Sequence, residues 1–190
     1  NEGVNPIFII GLPRSGSTLI ESILTSSKEN IISFGECNVF NVSILDQIGP
    51  KIYSEKFDNK KFEFLINKES LNKSILEKYS QYSDIKHEKF VDKSLENFFN
   101  IELIRSIYPK AKFIHTYRNP MDSVISIYQS MLPELSWTHN IEDILLYMDN
   151  YYKVLKYFES KYPDMIMDIK LEEFTEKTEQ ITKKLFNFCE

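Results

Sequence analysis

The chain has 190 residues, of which 42% are hydrophobic, 14% aromatic and 27% charged, with a formal net charge of −5 at pH 7. That length supports one sizeable core but not two comfortable domains, so a single domain spanning 1–190 is expected. The acidic balance excludes a general nucleic-acid binder, which needs a basic excess to neutralise a phosphate backbone, and the apolar runs are too short to cross a bilayer.

Ile7 to Ile10 form a short run of β-branched and aromatic residues that Gly11 ends, the pattern of a buried strand. Pro13 and Gly16 shape a turn, and a helix is predicted from about Ser17, with Leu19, Ile20, Ile23 and Leu24 at i, i+3, i+4 spacing. Ile31 to Phe34 is the second strand candidate. Gly35-Glu36 ends it, so Glu36 falls at a strand's carboxyl end, where α/β folds bind their ligands. Helical patterns run from Asn38 to about Ile48 and from Asn59 to about Tyr82. The second carries Phe62, Leu65, Ile66, Leu71, Ile75, Leu76 and Tyr79 on one face, and Gly49-Pro50 is expected to separate the two.

Phe90 to Lys93 reads as a third strand, followed by a helix from about Asn97 to Tyr108 that Pro109 stops. Ala111 to Tyr117 is a strand of good β-propensity. Arg118-Asn119-Pro120 then opens a helix at Met121 with Val124, Ile125, Tyr128 and Met131 as its apolar face. An aromatic-rich helix from Ile141 to Tyr162, a strand from Met165 to Ile169 and a helix from Thr175 to Cys189 complete the chain, the last with Ile181, Leu185 and Phe188 inward. That helix has no C-cap signal, so a C-terminal truncation is expected. Strands alternating with helices imply parallel pairing through right-handed crossovers. The expected fold is therefore α/β, a three-layer sandwich of the P-loop type with a central parallel sheet of about five strands.

The spacing Gly11-x4-Gly16-Ser17-Thr18 is the P-loop pattern with Ser17 where the pattern has its Lys. Arg14, inside the loop, supplies a permanently charged fork suited to a phosphate or sulfuryl group. The backbone N–H groups of Gly16, Ser17 and Thr18 open the helix N-terminus, where the macrodipole favours an anion.

On these residues the stretch PRSGSTL resembles the 5′-phosphosulfate loop of sulfotransferases that use 3′-phosphoadenosine 5′-phosphosulfate (PAPS). The Arg before Ser-Gly is similar to the tyrosylprotein and tetratricopeptide-repeat-associated bacterial branches. The resemblance implies a strand order of 2-3-1-4-5, an analogy shared with P-loop kinases. It implies that Arg14, Ser15, Gly16, Ser17 and Thr18 hold the 5′-phosphosulfate. Arg118 and Ser126, in RNPMDSVIS, would bind the 3′-phosphate. Glu36 would be the general base, 22 residues after Arg14, and Lys93, 57 residues further on, would assist with Arg14 at the sulfuryl group. It also implies a Gly- and basic-containing loop beyond the last helix that covers the nucleotide. No metal is needed for this chemistry, and the acceptor is a hydroxyl on a peptide tyrosine, a glycan or a small molecule.

Each of these residues has a plainer role as well: Glu36 as a helix cap, Lys93 and Arg118 as solvated charges, Ser126 as a small packing residue. The histidines His87, His115 and His139 are rival bases, with His115 inside an apolar strand. A nucleotide kinase is the rival enzyme, with Asp92 and Thr18 as Mg²⁺ ligands. A cofactor-binding module without activity is the rival outside catalysis. No secretory signal opens the sequence. Cys37 and Cys189 show neither metal spacing nor a disulfide framework, so a cytoplasmic setting is expected.

Overall fold

The computed structural model describes residues 4–26, 31–54, 66–82 and 89–190. In chain order these form β1 (Asn5–Gly11), α1 (Ser17–Thr25), β2 (Ile32–Ser33), α2 (Val39–Ser54), α3 (Lys68–Tyr82), β3 (Lys89–Asp92), α4 (Ile101–Ile107), β4 (Lys112–Tyr117), α5 (Pro120–Ser130), α6 (Ile141–Lys161), β5 (Ile166–Lys170), α7 (Leu171–Glu176) and α8 (Thr178–Cys189). Two 3₁₀ turns, Leu95–Asn100 and Ser136–His139, precede α4 and α6. Every strand pairing is parallel and the order is β2-β3-β1-β4-β5, as the sequence reading expects.

β1 is apolar at successive positions because both of its faces are covered. Phe8 and Ile10 point into one core with Phe90 and Phe113, under residues of α2, α3, α4, α5 and α6. Ile7 and Ile9 point into the other with Val91, Ile114 and Ile169, under α1, α7 and α8. Phe8 stacks on Phe113 with centroids 5.4 Å apart and meets Phe40 edge-on at 5.5 Å, joining sheet to α2.

Five local expectations need correction. Gly49-Pro50 does not break the chain: α2 continues through it to Ser54. Proline removes a backbone donor and crowds the carbonyl one turn earlier, and tertiary anchors hold the turn before it. Ile48 is buried, Gln47 bonds both the N–H and the carbonyl of Asn67, and Asp46 pairs with Lys78 at 2.8 Å. Asn67 then caps α3, accepting from the Ser70 N–H, so this helix starts at Lys68; Phe62 and Leu65 lie outside the described residues.

The helix expected from Asn97 begins instead as a 3₁₀ turn, because Asn97 is drawn inward to Asp92. In α5 the buried face is Ser123, Val124 and Ile127, whereas Ile125, Tyr128 and Met131 are exposed. Asn119 caps that helix, accepting from the Met121 N–H. The last helix is two, broken at Lys177, with Leu185 and Cys189 fully buried and Ile181 and Phe188 only partly so.

At the end of β3, Asp92 is 0% exposed and fully bonded. Oδ2 accepts from the Tyr79 hydroxyl at 2.5 Å and from the Cys37 thiol at 3.4 Å; Oδ1 accepts from the Ser94 N–H at 2.8 Å and from Asn97 Nδ2 at 3.2 Å. These donors come from the β2–α2 link, α3 and the turn after β3, so one carboxylate ties three segments together. Burial, then the adjacent carboxylate, push the Cys37 thiol up to about 12.

Tyr79→Phe removes a hydrogen bond to a charged acceptor and is expected to lower unfolding free energy by about 1.5–3 kcal/mol in urea denaturation. An unchanged midpoint would show that Asp92 does not need this donor. Cys37 stays protonated in the folded protein at mildly alkaline pH, so iodoacetamide should label it slowly before denaturation and readily after. Peptide mass mapping distinguishes the two rates, and equal labelling would rule the thiol out of the network.

Candidate active site

The turn after β1 is built by close approach. A Cβ on Gly11 would lie 2.5 Å from the Thr116 carbonyl oxygen, so the chain can run against β4 only because there is none. Ser15, buried, shares a 2.7 Å hydrogen bond with the Thr116 hydroxyl. Gly16 has φ +93 and forms the N-cap of α1, and a Cβ there would meet Leu171 Cδ1 at 2.8 Å. No side chain caps α1, which leaves its first-turn N–H groups for an outside acceptor. Arg14 takes φ 66, uncommon for a residue with a side chain. It is exposed and makes no ion pair among the described residues.

One strand over, Arg118 follows β4. Its side chain is 25% exposed, its Nη2 lies 3.7 Å from Asp122 Oδ2, and its Nε is buried without a hydrogen-bond partner. Glu172, at the start of α7, accepts from the Asn119 N–H at 2.7 Å, and that bond is the main reason its carboxyl is held below the usual carboxylate range.

On the other side of β1, pairing with β3 continues beyond β2: Phe34 N–H donates to Val91, and Lys93 N–H to Gly35. This carries Glu36 beside Lys93. The Lys93 ammonium, 6% exposed as a residue, donates to Glu36 Oε1 at 2.5 Å and lies 3.6 Å from Glu21 Oε2. Glu36 itself is 64% exposed. A buried cation thus fixes an accessible carboxylate at the rim of the sheet.

These groups meet in one cleft of about 650 Å³. Arg14, Gly16, Ser17, Thr18, Glu36 and Arg118 all line it. Ser15 sits beneath, holding the loop, and Lys93 sits behind Glu36. Ser126 is half-buried on α5 and is not among the lining residues. Asp92 does not line the cleft either, and with all its bonds made inside the fold it has no capacity for the Mg²⁺ ligation of the kinase reading.

Of the histidines, His115 is buried and bonded through Nδ1 to Asp168 at 2.7 Å, His139 Nε2 lies 2.9 Å from the Leu132 carbonyl, and His87 lies outside the described residues. Neither described histidine lines the cleft. Glu96, Glu134, Trp137, Tyr147 and Leu171 do, and the sequence reading missed them. Leu171 follows a strand's carboxyl end, a position that flags ligand contact. The others sit on a 3₁₀ turn, a loop and a helix face without motif or periodicity. Among the described residues no helix is long and apolar enough to cross a membrane.

Comparison with known proteins agrees with the fold. The family model described as "Sulfotransferase family" matches residues 6–190. An uncharacterized protein of Aquifex aeolicus is 31% identical over 97% of the chain, which spans 25% of that relative's length. Among solved structures, a sulfotransferase from Alicyclobacillus acidocaldarius superimposes with a TM-score of 0.61 at 15% identity, covering 97% of this chain and 80% of that one. The sulfotransferase domain of the Synechococcus PCC 7002 olefin synthase gives 0.64 at 17% identity, covering 98% and 74%. With the matched region taking in the phosphate loop, Glu36, Lys93 and Arg118 together, the chain belongs to the sulfotransferase family.

Proposed function

We propose that the chain transfers the sulfuryl group of PAPS to a hydroxyl acceptor, with Glu36 as general base. The observation that supports this reading is that two arginines, the uncapped N-terminus of α1 and one accessible carboxylate line a single cleft. On this reading Arg14 with the uncapped end of α1 forms one anion site, and Arg118, whose buried Nε has no hydrogen-bond partner among the described residues, forms the other. A bisphosphorylated nucleotide fits two such sites. Ser126 enters the reading only through the resemblance, since its side chain is not among those lining the cleft.

When bound, PAPS supplies a sulfuryl group on a phosphate leaving group. Arg14 and the α1 N–H groups neutralise the charge that grows on the bridging oxygen as the sulfur–oxygen bond breaks. Glu36 accepts the proton that the acceptor hydroxyl loses as its oxygen bonds to sulfur, leaving adenosine 3′,5′-bisphosphate and the sulfate ester. Lys93 holds the Glu36 carboxylate in place, and its role at the sulfuryl group rests on the resemblance alone.

Adenosine 3′,5′-bisphosphate is expected to raise the melting temperature of the full-length protein more than AMP or ATP with Mg²⁺, because only it engages both anion sites. Stabilisation by ATP with Mg²⁺ that equals or exceeds it would sink the reading, and stabilisation without turnover would mark a binding module.

Glu36→Gln preserves size and loses the proton acceptor, so turnover should fall about 10²–10⁴-fold while bisphosphate binding holds. The same assay on His115→Asn should retain most of the rate. Near-wild-type turnover in Glu36→Gln would remove it from the role of base.

A further inference from the structure

The cleft has two chemically different halves. The cations that line it, Arg14 and Arg118, stand on the side of β1 and β4. The other half is lined by Glu36 and Glu96, which follow β2 and β3, and by Leu132, Pro133, Glu134, Leu135 and Trp137 of the link before α6 with Tyr147 of α6, with no Lys, Arg or His among these described residues. Trp137 and Tyr147 stack with centroids 3.8 Å apart and planes 2° from parallel, a rigid aromatic wall. Glu96 stands close enough to raise the Tyr147 hydroxyl further above its usual range, after burial, so the hydroxyl stays neutral beside it. Glu36 is paired with Lys93, but Glu96 and Glu134 make no ion pair among the described residues.

On the sulfotransferase reading proposed above, the nucleotide takes the cationic half, and displacement at sulfur brings the acceptor in from the opposite side, past Glu36. An aromatic wall flanked by unpaired carboxylates attracts a positive charge through ring quadrupoles and Coulomb interaction, and repels an anion. We infer that the acceptor is a small amine cation that carries its hydroxyl on an apolar or aromatic body, with the ammonium toward Trp137, Tyr147, Glu96 and Glu134 and the hydroxyl toward Glu36. Acidic acceptors, including tyrosines flanked by carboxylates, are excluded by the same field.

Three phenols of similar shape test this: tyramine, 4-ethylphenol and 4-hydroxyphenylacetate carry positive, zero and negative charge. With the full-length protein and PAPS, kcat/KM is expected to fall in that order, by about tenfold or more between first and last, and the spread should shrink as salt rises. The Glu96→Gln, Glu134→Gln double variant should lose the advantage of tyramine over 4-ethylphenol. Calorimetric titration of the three phenols into the protein, with and without adenosine 3′,5′-bisphosphate, reads the same order without turnover. If the bisphosphate fails to bind, the donor reading fails. The preference for the amine is then still decided by the titration without nucleotide, because the acidic half of the cleft is built from the chain alone. Equal binding of all three phenols, no binding of any, or tightest binding of 4-hydroxyphenylacetate overturns the inference.

Discussion

The buried contact between the loop after β1 and strand β4 determines the rest of the site. The Ser15–Thr116 hydrogen bond and the bare Cα of Gly11 against the Thr116 carbonyl bring two segments about a hundred residues apart into van der Waals contact. The loop carries Arg14 and the open end of α1, and β4 delivers Arg118 two residues after Thr116. A side chain at position 11 would push loop and strand apart and separate the two cations. The contact is possible because β1 lies at the centre of a parallel sheet with β4 beside it, so the loop emerges next to the end of its neighbour. Gly16, pressed on Leu171, gives the same loop a second seat at the end of β5.

Across the carboxyl edge of the sheet the charge reverses sign. Arg14 and Arg118 follow β1 and β4, while Glu36 and Glu96 follow β2 and β3, and Lys93, just after β3, is buried behind Glu36. Burying a lysine costs desolvation energy that only close counter-charges offset, and Glu36 and Glu21 provide them. The arrangement therefore joins α1, the end of β2 and the end of β3 through a single ammonium. Asp92, one residue earlier, does the equivalent for the opposite face of the sheet by gathering neutral donors. The last residue of β3 and the one after it thus anchor the two layers that flank the sheet.

What the sequence made legible was what it encodes locally. The loop after β1 is a run of consecutive residues with a recognisable Gly spacing, and the strand-end positions of Glu36, Lys93 and Arg118 follow from short apolar runs with polar residues after them. The strand order came from resemblance to a known architecture, since nothing in five short runs states which lies beside which. Helix rotation was not legible. Ile125, Tyr128 and Met131 are apolar and suitably spaced, yet Ser123, Val124 and Ile127 face inward, and Ser126 is not on the cleft wall. Pro50 misled because tertiary anchors outweigh one missing donor. The Trp137–Tyr147 wall joins a 3₁₀ turn to a helix face ten residues on, a pairing that exists only once both have packed.

Arg14 pays for its position with a left-handed backbone, φ 66, where a side chain costs about 1–2 kcal/mol relative to the ordinary helical region. Asparagine or glycine adopts that conformation more readily, so the protein would gain little stability from its native arginine and some from losing it. Selection acting on folding alone would drift this position toward the smaller residues. If Arg14 has the role proposed above, a population of variants sorted for abundance and one sorted for turnover would diverge at this position.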